Sequence, residues 1–533
     1  MENAMAAQTS EMEALEPPSL AVAKKSLDWP AWEKTIHDEL AILKVAGTWK
    51  IVDARVGVNI VGSKWVFRTK KDMAGVVVRY KARLVAQGFS QVPGVDYFNT
   101  FAPVADLVFI HAVLAIVAAR NLEIHQIDIK GAYLNGELTD EEVVYMKQPP
   151  GYPVSSDSSQ VLQLLKSLYG LKQAGRRWYK KLVEIMEALG FKRCGVDQAM
   201  FHCRKGSTLI IVLVHVDDFT IAGTSIFLIL RFKIEIAKFV KITNLGDLHW
   251  ILGIEVKRIH ENHTIHLSQK SYINSMLQQY GFEDLKPVSL PMETSIRLTS
   301  AQSPTMTQEI AYMCNIPYQE AVGSLMYASL GTCPDITYAV QTVSYFSKNP
   351  GQAHWEVVKH IFRYLKGSKE IWLTYGGEKR DLKGYADADG SMAEDRHAIS
   401  VYAFLLHRGA ASWAAKRQEI VSLSKTEIEY VAVMHASKDA LWLRTLITQL
   451  FDTKLEPAPL FYDNQSAIAL TKDHQYHLRT KHIDIHFHFI RWIIENGSIH
   501  LIYCPTEDML ADTLTKALPK VKHFAVELGL ALV

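Results

Sequence analysis

Cysteine is scarce in this 533-residue chain. Cys194, Cys203, Cys314, Cys333 and Cys504 lie far apart, with no Cys-x-x-Cys pair and no Cys/His group of zinc spacing. An odd, scattered set excludes a disulfide framework and fits a reducing compartment. Long apolar runs are also missing. None reaches membrane length, and the Met-Glu-Asn start has no signal-peptide pattern. Excess charge of one sign is absent too, since 58 Lys and Arg face 56 Asp and Glu. Attraction to a polyanion must therefore come from local basic surfaces, not from the total. What is plentiful is apolar: 48% hydrophobic residues with 21% charged describe folded chain. The length suggests about three or four domains.

The stretch 209–223 organises the rest. Leu-Ile-Ile-Val-Leu-Val is a continuous apolar run and reads as a strand buried on both faces. It stops at Asp217 and Asp218, then resumes as a short apolar run ending in Gly223, so a hairpin carries two acids at its tip. An Asp-Asp pair is also an ordinary turn. Beside such apolar strands, however, two unpaired carboxylates repel, and a divalent cation is the natural relief.

Along the chain, residues 1–28 read as a flexible leader. Trp32, Ile36, Leu40 and Leu43 give a helix over 29–43 with one apolar face. Over 62–90 the pattern turns strand-like. There Lys64, Arg68, Lys70, Lys71, Arg79, Lys81 and Arg83 face only Asp72, which suits a ribbon gripping phosphates. A helix over 110–119 leads into a strand in which Asp128 alternates with Ile127 and Ile129, and Tyr133 follows at the turn. The basic, aromatic turn 165–179 (Leu-Lys-Ser-Leu-Tyr-Gly-Leu-Lys-Gln-Ala-Gly-Arg-Arg-Trp-Tyr) starts a helix running to about 189 and suits a base stack flanked by phosphates. Helices are expected at 232–239, 271–280, 318–330 and 354–366. A turn and strand are expected at 245–256, and a surface loop at 299–309. Past a composition shift near 376–381, strands alternate with helices: strand ends at 383–389 and 460–464, strands at 401–406, 411–413 and 499–503, helices at 426–450, 466–471 and 506–518. Acids sit at strand ends or helix starts, where distant carboxylates converge at one sheet edge.

The ordered segments Lys-Trp-Val-Phe (64–67), Arg-Tyr-Lys-Ala-Arg-Leu-Val-Ala-Gln-Gly-Phe (79–89), Gln-Ile-Asp-Ile-Lys-Gly-Ala-Tyr-Leu-Asn-Gly (126–136), Lys-Ser-Leu-Tyr-Gly-Leu-Lys-Gln (166–173) and Val-Asp-Asp (216–218) resemble the reverse transcriptase of copia-type LTR retrotransposons. Val-Gly-Ser-Leu-Met-Tyr (322–327), Tyr-Ala-Asp-Ala-Asp (385–389), Leu-Ser-Lys-Thr-Glu-Ile-Glu-Tyr (423–430), Thr-Lys-His-Ile-Asp-Ile (480–485) and Ala-Asp-Thr-Leu-Thr-Lys (511–516) resemble the RNase H end of the same polyprotein. The match runs in order from about residue 29 to 520.

The resemblance implies an α+β right-hand polymerase of fingers, palm and thumb followed by an α/β RNase H-like domain. Its divisions would be leader 1–28, fingers and palm 29–270, a thumb or connection-like helical region 271–378, and RNase H 379–533. It implies RNA- and DNA-directed DNA synthesis with RNase H cleavage, using two Mg²⁺ (or Mn²⁺) per active site. Asp128, Asp217 and Asp218 would be the polymerase acids, with Asp128 and Asp217 on the metals. Asp387, Glu429, Asp463 and Asp512 would be the RNase H acids, with Glu429 chosen over Glu427 for the Tyr-Val-Ala that follows it. Tyr133 would screen the incoming sugar's 2′ position, and Arg79, Lys81, Arg83 and Lys172 would lie at the nucleotide. Leu252, Gly253 and Ile254 resemble the primer grip. The implied partners are RNA template, DNA primer, RNA–DNA hybrid and dNTPs, with integrase and capsid protein of the same element, and no membrane. The implied setting is a cytoplasmic virus-like particle and the nucleus, and the chain would be a piece of a longer polyprotein. His215, Ala174-Gly175, Val401, Lys425 and Cys333 depart from the common pattern without removing a metal ligand. They motivate an alternative, a decayed copy that folds and binds nucleic acid without turnover.

Overall fold

A computed structural model describes residues 16–55, 57–71, 77–377, 382–390, 397–419, 421, 424–452, 456–465, 468, 484–515 and 526–533. Its centre is a six-stranded antiparallel sheet in the order Ile242–Asp247, Glu123–Ile129, Asp218–Gly223, Thr208–His215, Met200–Lys205, Lys192–Arg193. The long apolar run is a strand covered on both faces, as its composition demands. Ile210, Val212 and Val214 pack with Trp178, Leu182 and Ile185 of the Ala174–Ala188 helix and with Ile229 and Phe232 of the Ile226–Ile236 helix. Leu209, Ile211 and Leu213 face the Leu107–Ala119 helix, which is buried almost all round.

Helix Trp29–Val45 packs Trp32 edge-on against Phe67 and Tyr80 of an antiparallel ribbon, Ser63–Lys71 with Val77–Ala86. Of the expected flexible leader, residues 16–28 are instead placed against this ribbon. Buried Glu16 accepts a hydrogen bond from Arg68 Nη1 at 2.6 Å, an ion pair that ties the segment down. Residues 1–15 lie outside the described residues.

Helices Lys270–Gln279, Tyr318–Gly331, Thr337–Ser344 and Gln352–Ser368 share a separate core built on Tyr272, Leu325, Val358 and Phe362. A five-stranded sheet, Trp250–Ile251, Ile254–Ile259, Thr264–Ser268, Ile371–Gly376 and Leu530–Leu532, joins this region to the last residues of the chain. A second five-stranded sheet runs Gly409–Arg417, Ile399–Leu406, Lys383–Asp389, Ala458–Tyr462, Ile499–Tyr503. Its first three strands are antiparallel, its last two pairings are parallel, and helix Lys425–Phe451 covers it. The architecture is α+β: an antiparallel sheet with its helices and a helical region, followed by an α/β unit built on a mixed sheet.

Four expected elements differ. The helix expected at 232–239 is Ile226–Ile236, because Ser225 Oγ accepts the Leu228 N–H at 3.4 Å and starts it early. The turn and strand expected at 245–256 hold a tight hairpin, with Leu252 and Gly253 at φ 51° and 77° between Trp250–Ile251 and Ile254–Ile259. Inside the loop expected at 299–309 a helix begins at Thr307–Cys314, where the Glu309 carboxylate takes the Thr305 and Met306 N–H groups. Of the helix expected at 506–518, the described residues form a short turn, Thr506–Asp508, then Asp512–Thr515, with extended Met509 between them, and 516–518 lie outside the described residues. Of the helix expected at 466–471, only residue 468 is described.

The ribbon and the 165–179 turn meet backbone to backbone. Gly170, at φ 91°, leaves room where a Cβ would lie 2.1 Å from the Ala86 carbonyl oxygen. A Gly170→Ala chain is expected to lose about 2–4 kcal/mol locally through strain and overpacking. Hydrogen exchange at the Ala86 amide, which donates to Tyr169 O at 2.8 Å, checks this. Its protection should fall about 100-fold, and unchanged protection contradicts the close approach.

Candidate active sites

The Asp217-Asp218 hairpin closes on Val216, a β-branched residue at φ 59°. Such a residue in the left-handed region is strained and needs support. Two donors supply it: Trp178 Nε1 bonds the Val216 carbonyl at 2.7 Å, and the Ile129 N–H bonds the Asp217 carbonyl at 2.8 Å. The neighbouring strand pairs Asp128 directly with Asp218, about ninety positions away in sequence. Ile127 and Ile129 point into the core, leaving Asp128 half-exposed on the other side. The Asp218 carboxyl is pushed up to about 6 by burial first, then by the charges of Asp217 and Asp128, with Lys70 opposing.

Tyr133 sits in the Ala132–Asn135 turn that follows Asp128's strand. Burial raises its phenol first and the Asp217 charge next, while Arg83 pulls the other way. Tyr169 meets Tyr133 edge-on, ring centres 5.0 Å apart, and the Arg83 guanidinium lies 4.4 Å over the Tyr169 ring. Arg83, Tyr169, Tyr133 and Asp217 thus form one cluster. Tyr169 is the member that sequence reasoning did not single out. Its only signal was an aromatic residue inside a basic turn.

The other expected nucleotide contacts are less concentrated. Arg79, Lys81 and Arg83 alternate with buried Ala82 and Leu84 and so share one face of the ribbon. Lys81 lies toward Glu39 of the neighbouring helix. Burial is the largest cause lowering its ammonium, with Arg83 and Lys70 adding and Glu39 opposing. Arg79 is exposed opposite Lys70 in the ribbon register. Lys172 is exposed, and its backbone N–H donates to Gln91 Oε1 at 2.8 Å. At the Leu252-Gly253-Ile254 hairpin, Leu252 shares a small cavity with His215, Gln126 and Asp218, and its carbonyl accepts from Tyr327 Oη. Ile254 is buried in the core and presents no contact surface.

The second site gathers acids from four elements. Asp387 is near the end of Lys383–Asp389, Glu429 in the first turns of Lys425–Phe451, Asp463 just past Ala458–Tyr462, and Asp512 at the start of Asp512–Thr515. Single oxygens of Asp387, Glu429 and Asp463 lie within 4.8 Å of one another, a grouping that Glu427 does not join. Asp512 stands beside Asp387. Hydroxyls orient the set: Tyr462 Oη donates to Glu429 Oε2 at 2.6 Å, Thr515 Oγ1 to Asp387 Oδ2 at 3.1 Å, and Thr506 Oγ1 to Asp463 Oδ2 at 3.2 Å. The Asp387 carboxyl is pushed up to about 8, by burial first, then by Glu429 and Asp512. Glu429 reaches about 7 through burial, with the Tyr462 hydroxyl pulling down and Asp463 pushing up. An all-carboxylate donor set suits a hard divalent cation such as Mg²⁺ or Mn²⁺, and the mutual repulsion is what such an ion relieves.

The fold joins an acid-tipped antiparallel sheet to a second acid-centred α/β unit, and residues 46–294 match the family described as reverse transcriptase (RNA-dependent DNA polymerase). Over 491 residues the chain is 40% identical to the retrovirus-related Pol polyprotein from transposon TNT 1-94 of Nicotiana tabacum, covering 92% of this chain and 37% of that protein. It is 36% identical over 508 residues to the Pol polyprotein from transposon RE2 of Arabidopsis thaliana, covering 93% and 34%. The chain belongs to the copia-type retrotransposon Pol polyproteins, and it spans little more than a third of the length of these curated relatives. A foamy viral protease–reverse transcriptase in complex with double-stranded DNA aligns over 89% of this chain and 83% of its own, at TM-score 0.46 and 12% identity.

In metal-free protein, Asp387 and Glu429 hold protons near neutrality that a divalent cation must displace. Mg²⁺ affinity at this site is therefore expected to rise with pH through about 7–8 and to level off once both groups are ionised. Calorimetric titration of an Asp217→Asn chain, in buffers of different ionisation enthalpy, counts the protons released. Affinity independent of pH from 6 to 9 contradicts the expectation.

Proposed function

We propose that the chain is an RNA- and DNA-directed DNA polymerase with RNase H activity, which copies retrotransposon RNA into DNA. The polymerase half rests on the register that sets Asp128 against Asp218, with Asp217 on the intervening tip, inside a region that matches the reverse transcriptase family. Asp128 and Asp217 would hold two Mg²⁺, and Asp387, Glu429, Asp463 and Asp512 would hold the pair at the second site. When bound, the cations neutralise charge on the attacking and leaving oxygens of phosphoryl transfer.

The chain's own residues supply position. Trp178 and the Ile129 amide hold the acid-bearing turn. Tyr133, braced by Tyr169, lies beside Asp217, where a sugar 2′ substituent would meet it. Arg83, stacked on Tyr169, presents a fixed cation to the triphosphate. Tyr462, Thr515 and Thr506 hold the second acid set against its own repulsion. RNA template, DNA primer, RNA–DNA hybrid and dNTPs are the partners of this reading, with integrase and capsid protein of the same element. Its setting is a cytoplasmic particle and then the nucleus.

Primer extension on an RNA template with Mg²⁺ tests the polymerase half. Asp217→Asn should lower incorporation by roughly 100-fold or more, the scale on which one transition-state charge stabiliser counts. A decayed copy that binds without turnover predicts equal background from both proteins. Asp463→Asn should abolish cleavage of a labelled RNA–DNA hybrid and leave primer extension intact. Loss of both together would contradict two independent sites.

A further inference from the structure

The cavity that opens on Asp387, Glu429 and Asp463, about 710 Å³ in volume, has walls from two parts of the chain. One is the edge of the α/β sheet that carries the acids. The other comes from the helical region that precedes it: Glu293, Thr294, Ile296 and Arg297 from a turn closed by the Ile296 N–H on the Glu293 carbonyl at 3.2 Å, and Tyr338 from helix Thr337–Ser344. The lining is strongly acidic, since among the described residues Glu293, Asp387, Asp389, Glu429, Asp463 and Asp512 face only Lys425 and Arg297 as cations. Lys425 shares a helix with Glu429 and already favours that carboxylate's charged form. Arg297 is exposed and makes no ion pair within 4.0 Å among the described residues.

Arg297 stands on a fixed base. Its carbonyl accepts from Gln302 Nε2 at 3.3 Å, and the same Gln302 side chain takes the Thr299 N–H at 2.9 Å. Buried His354 bonds the Thr299 carbonyl at 3.1 Å. Tyr338 spans the gap to the acid wall. Burial is the largest cause raising its phenol to about 12, the Asp389 charge adds to it and the Arg297 charge opposes it. Arg297 and the acids line one open cavity.

A nucleic acid entering that space brings a row of negative phosphates toward a negative wall. Two divalent cations offset the four central acids but leave Asp389 and Glu293, so strand binding needs a fixed cation away from the metals. A planar guanidinium suits a phosphate bidentately. We propose that Arg297 is a positioning residue for the second site, holding a backbone phosphate of the RNA–DNA hybrid across the cavity from Asp387, Glu429 and Asp463. The nuclease substrate site is then completed by the polymerase's own helical region. This rests on reading the second site as a hybrid nuclease.

The test uses the full-length chain with Arg297→Ala, Arg297→Glu and Arg297→Lys. Hybrid cleavage with Mg²⁺ should show KM raised about 10-fold in Arg297→Ala and more in Arg297→Glu, with kcat within about 2-fold, and Arg297→Lys should recover most of the loss. The slope of log KM against log salt should become shallower by about 1 in Arg297→Ala. Primer extension should be unchanged. Unchanged KM and salt slope in Arg297→Glu, or a loss of kcat alone, overturns the inference while leaving the nuclease reading intact. Cleavage by wild type no greater than by Asp463→Asn removes the nuclease reading instead. The Arg297 contact is then judged without turnover, by anisotropy titration of a labelled hybrid against wild type and Arg297→Glu. A shallower salt slope in the variant supports it and an identical slope overturns it.

Discussion

Like charges gathered into small clusters are what this molecule has to hold. Asp128, Asp217 and Asp218 in one place, and Asp387, Glu429, Asp463 and Asp512 in the other, repel one another, and burial aggravates the repulsion. A flexible chain would let them separate. The sheets do not, because each acid is attached to backbone whose hydrogen bonds and apolar neighbours are satisfied only in one register. Slipping the Asp128 strand by one residue would expose Ile127 and Ile129 and turn Asp128 inward, so hydrophobic burial enforces the electrostatic strain. The Val216 turn concentrates the same conflict in one residue, strained in its backbone and secured by an indole and an amide.

The two acid sites do not stand on separable bodies. The Leu107–Ala119 helix, behind the first sheet, is also packed by the second α/β unit. His111 contacts Trp413 and Tyr375, Phe109 stacks on Trp442, and Arg120 lies 3.6 Å over the Phe451 ring. Gln449 accepts the Gly195 N–H at 2.9 Å, and Leu530–Leu532 completes a sheet begun by Trp250–Ile251. A continuous apolar core from palm to α/β unit holds the distance between the two sites nearly constant, whereas a polar hinge would leave it free. A substrate that spans both sites would meet them at one spacing.

Apolar pattern carried most of the architecture. The run 209–214 could only be a doubly covered strand, and the spacing of Trp32, Ile36 and Leu43 could only be one helix face. Acids at strand ends were legible as a class, and folding groups Glu429 with Asp387 and Asp463. The Leu252-Gly253 reversal, the early helix start at Ser225 and the helix inside the 299–309 loop were not legible. Each depends on a local hydrogen bond or a positive φ that leaves no trace in hydrophobic period. Tyr169 and Arg297 escaped for another reason: Tyr169 was one aromatic residue of a basic turn and nothing nearby in sequence marks Arg297, while the neighbours of both come from elsewhere in the chain.

Sequence by itself determined the family, the strands and helices that carry the acids, and which carboxylates were candidates. Periodicity and residue chemistry are local properties and survive in one dimension. Tertiary structure alone decided that Asp128 pairs with Asp218, that Tyr169 braces Tyr133, and that Arg297 faces an acidic wall whose members lie from about ninety to more than two hundred positions further on. Those relations are distances across space. Strand register and core packing, not neighbouring residues, set them.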